Sequence, residues 1–183
     1  ALLLNWLAPQ HRALHFDVRD RVENVNSYWR STGREPAITL LRLRQEGLDP
    51  VEVIGAVDDL LATHETVVGH NLWGYDRLIL NANCRRLLGR PIAWPVRTID
   101  TAMIEKAGAS DGSLPRSGSG EDLIAWYEDV NRTRARGVRF NLPLCAEQYC
   151  LPYDAELAHT ALGDCDTTRH LYETYRDMGV LDA

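Results

Sequence analysis

Two short segments carry the residue types that hydrolytic chemistry needs. The first is Val68-Gly69-His70-Asn71-Leu72-Trp73-Gly74-Tyr75-Asp76, in which an asparagine precedes an aspartate by five positions. The second is His159-Thr160-Ala161-Leu162-Gly163-Asp164, in which a histidine precedes an aspartate by the same five positions. Carboxylates such as Asp76 and Asp164, gathered from separate elements, suit Mg²⁺ or Mn²⁺, hard cations that prefer oxygen ligands and keep several waters. Two such ions about 4 Å apart can activate a water and stabilise the leaving oxygen when a phosphodiester is cut. A histidine beside them, here His159, could take the proton from the attacking water. Asn71 could fix the backbone of the site, approach a substrate phosphate, or cap the helix that begins near Trp73. Trp73 and Tyr75 could stack on a terminal base or pack in the interior. His70 adjoins Asn71, but nothing in its type or spacing marks it as a ligand, and Asp166 reads as a surface acid.

The surrounding pattern says what must position these residues. The β-branched run at 66–70 ends in a glycine and predicts a buried strand leading into the first segment. A helix over about 73–88 follows, ended by Gly89 and Pro91. Residues 96–101 predict a further strand entering a short helix. The last long helix, about 157–178, carries Ala161, Cys165, Thr168, Tyr172 and Tyr175 on one face, and Gly179 caps it.

Upstream, Asp49, Pro50 and Glu52 form a D-x-x-E capping box that opens a helix over 50–63, with Val51, Ile54, Val57, Leu60 and Leu61 as its core face. Pro36 opens an earlier helix, which Gly47 stops. Residues 1–20 read as two strands joined by a turn, with Val18 closing the second. Helices resume at about 121–130 and 142–150, and the Gly- and Ser-rich stretch 108–120 predicts a mobile surface loop. Strands giving way to helices, with strand–helix units in the middle, indicate one α/β layered domain over 1–183.

On these residues the chain resembles the DnaQ-like, or DEDD, 3′–5′ exonuclease family. The second motif of that family, N-x-x-x-(F/Y)-D, matches Asn71, Tyr75 and Asp76. The third motif of its histidine branch, H-x-A-x-x-D, matches His159, Ala161 and Asp164. The stretch 96–101 resembles the family strand between these motifs, whose D-T pair opens the next helix, and 141–149 followed by 157–159 resembles the lead into the third motif.

The resemblance covers about residues 40–178 and implies a ribonuclease H-like fold, a mixed sheet flanked by helices. It implies stepwise hydrolysis of 3′-terminal phosphodiesters of single-stranded DNA or RNA to nucleoside monophosphates. A two-metal Mg²⁺ or Mn²⁺ site would be held in part by Asp76 and Asp164, with His159 as general base, in repair, replication or trimming.

One departure stands out. The D-x-E motif that opens the family pattern is absent; its nearest candidate, Asp17-Val18-Arg19, has arginine in place of the glutamate. Residues 1–20 look more like the hairpin that follows that motif, so the first strand is expected before Ala1, in a larger polypeptide. The alternatives are a degenerate first motif at Asp17, or a catalytically inactive module that binds nucleic-acid ends or a partner protein.

Composition narrows the rest. In 183 residues, 26 acidic against 20 basic side chains give a net charge of −6, which argues against a broad basic surface coating duplex nucleic acid. It leaves room for a local groove, and Arg132, Arg134, Arg136 and Arg139 form the densest basic cluster, either a backbone groove or a solvated loop. The four cysteines show no zinc-like spacing and read as buried free thiols of a reducing cytoplasm. No apolar run approaches the roughly 18–20 residues of a membrane span.

Overall fold

The computed structural model describes residues 18–33, 39–95, 97–109, 125–126, 128–130, 132, 140–154 and 160–181. The expected strands before Asp17, the loop over 110–120, His159 and three of the clustered arginines (Arg134, Arg136 and Arg139) lie outside the described residues. The chain divides into two compact units, Ala1–Thr63 with Leu78–Trp94, and His64–Arg77 with Pro95–Ala183.

The first unit is helical among its described residues: α1 (Val18–Ser31), α2 (Leu40–Glu46), α3 (Pro50–Thr63) and most of α4 (Arg77–Leu88). Val18 therefore starts a helix and does not close a strand. Val18, Val22, Val25 and Trp29 recur at spacings of four, three and four, which is a helical period. The Asp49 carboxylate caps α3, accepting from the amides of Val51 at 2.8 Å and Glu52 at 3.3 Å. Ile54, Leu80 and Cys84 form the core, flanked by Val57, Leu61 and Trp94.

Two expected members of the α3 core face are exposed, Val51 at 45% and Leu60 at 59%. The inward stripe instead runs through Ile54 and Asp58. Leu60 sits two residues past Asp58, about 200° further round the helix, and so faces out. Asp58 is buried because its carboxylate accepts from the Ala93 amide at 2.7 Å and pairs with Arg90 at 2.5 Å.

The second unit is built on two short parallel strands, β1 (Thr66–Gly69) and β2 (Arg97–Asp100), in the register Thr66↔Arg97 to Gly69↔Asp100. With them go α5 (Thr101–Ala109), helical residues at 128–130, α6 (Leu142–Gln148) and α7 (Ala161–Asp177). The result is a mixed helix-and-strand structure with a small two-stranded parallel sheet flanked by helices. Gly108 and Ala109 belong to α5 and not to a surface loop, since the helix continues two residues beyond the fully buried Ala107.

One core cluster of this unit joins Met103, Ala107 and Val130, with Trp73 and Trp126 packed against it. Another joins Leu142, Cys145, Leu171 and Tyr175. At its edge Glu105 accepts from the Tyr175 hydroxyl at 2.5 Å and the Gln148 amide at 3.3 Å, tying α5 to α6 and α7. Burial and the Glu105 charge hold the Cys145 thiol up at about 11 and the Tyr149 phenol up at about 12.

The Thr160 hydroxyl caps α7 by accepting from the Gly163 amide at 3.1 Å, and Gly179, at φ 71, ends it. The face of α7 that turns inward differs from the expected one. Thr168, Leu171 and Tyr175 are buried, whereas Ala161 and Cys165 are exposed. Continuing the four-three-four spacing backwards from Tyr175 leads to Asp164, one position before Cys165, so this acid shares the packed face. Not all thiols are buried: Cys84 and Cys145 are, while Cys150 and Cys165 are exposed, all four free. Among the described residues no helix is long and apolar enough to cross a membrane.

Candidate functional site

Gly69 pairs with Asp100, so the carboxyl ends of β1 and β2 lie side by side. That is the edge at which open parallel sheets place their ligands. Leaving β1, the chain turns through Asn71, whose φ of 60 is left-handed, a conformation that asparagine tolerates better than most residues. Residues Leu72–Asp76 then form a π-helical turn that feeds α4. Such turns are rare and concentrate at functional sites.

Two glycines make the turn fit. A Cβ at Gly69 would lie 2.7 Å from Cδ1 of the buried Leu72, and a Cβ at Gly74 would lie 2.5 Å from the Asn71 Oδ1. The Asn71 carboxamide thus lies over Gly74. It sits at the N-cap position without making a side-chain cap.

A buried carboxylate holds this turn from β2. Asp100 has no exposed surface. One of its oxygens accepts from the amides of Asn71 at 2.9 Å, Ala102 at 3.1 Å and Met103 at 3.4 Å. The other accepts from the Trp73 amide at 3.0 Å. Two chain segments therefore share one anchor. Burial nevertheless outweighs these four donors and pushes the Asp100 carboxyl above the ordinary carboxylate range.

His70 makes a second tie. Its Nε2 lies 2.7 Å from the Phe140 carbonyl, which can only accept, so Nε2 carries a proton. Its Nδ1 lies 2.8 Å from the Thr101 hydroxyl, which also stands 3.2 Å from the Gly69 carbonyl. In the neutral imidazole the Thr101 hydroxyl donates to Nδ1, and burial favours that form by lowering the pKa below its ordinary 6.5. The nearby carboxylates of Glu105 and Asp164 act in the opposite sense.

No family model, curated protein or solved structure matches the chain.

Asp76 ends the π-helical turn half-buried, and burial raises its carboxyl above the usual range. Asp164 stands in the first turn of α7, which packs against β1, and its charge is felt at His70, the neighbour of Asn71. Trp73 is half-buried against Met103, Ala107 and Val130, and the Arg77 guanidinium lies over its ring, 4.1 Å from the centroid. Tyr75 is 40% exposed. Asp166 is exposed and paired with Arg169, and Arg132 is exposed and paired with Glu128.

Asp76 and Asp164 offer the oxygen donors that Mg²⁺ and Mn²⁺ take, and a cation beside Asp76 would relieve the desolvation of its carboxylate. Among the described residues no group of three or more His, Cys, Asp or Glu side chains is drawn together as a metal site.

Sequence reasoning passed over Asp100, Thr101 and His70 as site residues. The signal was present in the D-T pair: an acid that ends a strand whose preceding residues, Thr98 and Ile99, are buried must find donors, and here it finds the amides of the turn.

Proposed function

We propose that this chain is a metal-dependent 3′–5′ exonuclease of ribonuclease H-like fold, acting on single-stranded nucleic acid and releasing nucleoside monophosphates. The observation that carries this reading is that both motif segments belong to one unit. The Asn71–Asp76 turn leaves the carboxyl end of β1, and α7, with Asp164 in its first turn, packs against that strand. The motif resemblance supplies the polarity and the product; the geometry supports a carboxylate site at a strand edge.

On this reading Asp76 and Asp164 hold Mg²⁺ or Mn²⁺ together with a first-motif carboxylate. The metal would supply positive charge to the scissile phosphate and activate the water. His159 accepts the proton of the attacking water. Asn71, Tyr75 and Trp73 shape the surface that meets the terminal nucleotide, with the exposed Tyr75 ring able to stack on its base.

The reading is tested by incubating 3′-labelled and 5′-labelled single strands with Mn²⁺ and the protein, beside Asp164→Ala. The exonuclease releases the 3′ label as mononucleotide at once, and the variant does not. A protein that retains the strands uncut in Mn²⁺ is a binding module instead.

A further inference from the structure

Arg77 is the first residue of α4 and directly follows Asp76. Its guanidinium lies over the Trp73 indole, with the central carbon 4.1 Å from the ring centroid. Trp73 is itself fixed, its amide by Asp100 and its side chain by Met103, Ala107 and Val130. Among the described residues no carboxylate comes within ion-pair distance of Arg77. Arg30, Arg44, Arg85, Arg86 and Arg97 also lack an ion pair among the described residues, but all five are exposed, whereas Arg77 is half-buried. Arg42, Arg90, Arg132, Arg169 and Arg176 are all more than half exposed, and each pairs with an acid.

A guanidinium over an aromatic face keeps N–H donors at its rim for other partners. The indole face meets one side of the half-buried cation, and among the described residues no carboxylate meets the rest. An anion at the donor rim would pair with it. The fork geometry of arginine matches a phosphate through two parallel hydrogen bonds.

We infer that Arg77, held on Trp73 beside Asp76, binds a phosphate group. In the exonuclease reading, on which the choice of ligand rests, this is a phosphate of the single strand, placed next to the metal-binding carboxylate. Trp73 then serves as the platform for Arg77, and base stacking falls to Tyr75.

The test is binding without catalysis. Anisotropy of a fluorescein-labelled oligothymidylate is measured in EDTA, over a salt series, with displacement by inorganic phosphate. Arg77→Met, which keeps an apolar stem on the indole, is expected to weaken strand binding roughly tenfold, as loss of a charge-assisted hydrogen-bond pair requires. It should also flatten the salt slope by about 0.7, the share of one phosphate on a single strand. Arg77→Lys keeps the charge without the fork and should fall between; it carries the test alone if the methionine variant does not fold.

Inorganic phosphate binding without strand binding, weakened in both variants, would uphold the anion site and assign it to free phosphate. Unchanged affinity and slope in the folded variants, or no binding of either probe by the parent protein, would overturn the inference. Because the assay contains no metal, failure to cut and failure to bind are read separately.

Discussion

The Asn71 amide donates to the Asp100 carboxylate at 2.9 Å, although 29 positions separate the two residues. The tie joins the end of one strand to the turn leaving its neighbour, and the Trp73 amide reaches the same carboxylate. The turn that carries Asn71, Tyr75 and Asp76 is therefore held by a fully buried acid. Asp100 acts through the backbone as a positioning residue.

Asp100→Asn tests that role. The amide oxygen can keep Asn71, Ala102 and Met103, but the amide nitrogen then faces the Trp73 N–H, donor against donor. One unsatisfied buried amide costs about 1–3 kcal/mol. Chemical denaturation should show that loss, and faster hydrogen exchange should be confined to the 71–76 turn and the start of α5. Unchanged exchange at Trp73 would contradict the anchor.

The two glycines of the turn should respond differently. Gly69→Ala puts a Cβ 2.7 Å from Cδ1 of Leu72, which is buried, so overpacking should cost about 1–3 kcal/mol. Gly74→Ala meets only the Asn71 carboxamide, which is exposed and can rotate away. That variant should melt within a few degrees of the parent while changing strand binding. Equal destabilisation by both would show that the Asn71 side chain is not free to move.

His70 should give stability a pH dependence. Its native pKa lies below 6.5, so between that value and 6.5 the unfolded chain binds more protons than the native one. Stability therefore falls as pH drops below about 6.5 and levels off below the native pKa. His70→Gln, measured by urea denaturation at closely spaced pH values, should remove that component. If stability instead rises on acidification through this window only when His70 is present, the imidazole is charged in the native state.

Much of this was legible locally. The cap at Asp49, the β-branched run of β1 and the strand-to-helix passage at Asp100–Thr101 are short-range patterns, and each element formed where its pattern stands. What escaped depends on contacts between distant segments. Asp100 gains its meaning only from amides far along the chain, and the inward turn of Asp164 rather than Cys165 depends on how α7 packs. A buried Asp58 within an apolar helix face likewise needed the Ala93 amide and Arg90, which no helical period foretells. The π-helical turn belongs to the same class, because Trp73-Gly74-Tyr75-Asp76 reads as the start of an ordinary helix, and the hold of Asp100 on the Asn71 and Trp73 amides is a long-range contact.

The central claim is that Asp76 and Asp164 belong to one metal-dependent hydrolytic site. The most direct measurement is the rate of mononucleotide release from a 3′-labelled single strand in Mn²⁺, for the parent protein, Asp76→Ala and Asp164→Ala, with folding of each checked by circular dichroism. The account predicts release by the parent and a loss of roughly a hundredfold or more in either variant, as expected when a group acting in the transition state is removed. Release at the parent rate by either folded variant, or a parent protein that leaves the 3′ label intact, would contradict it.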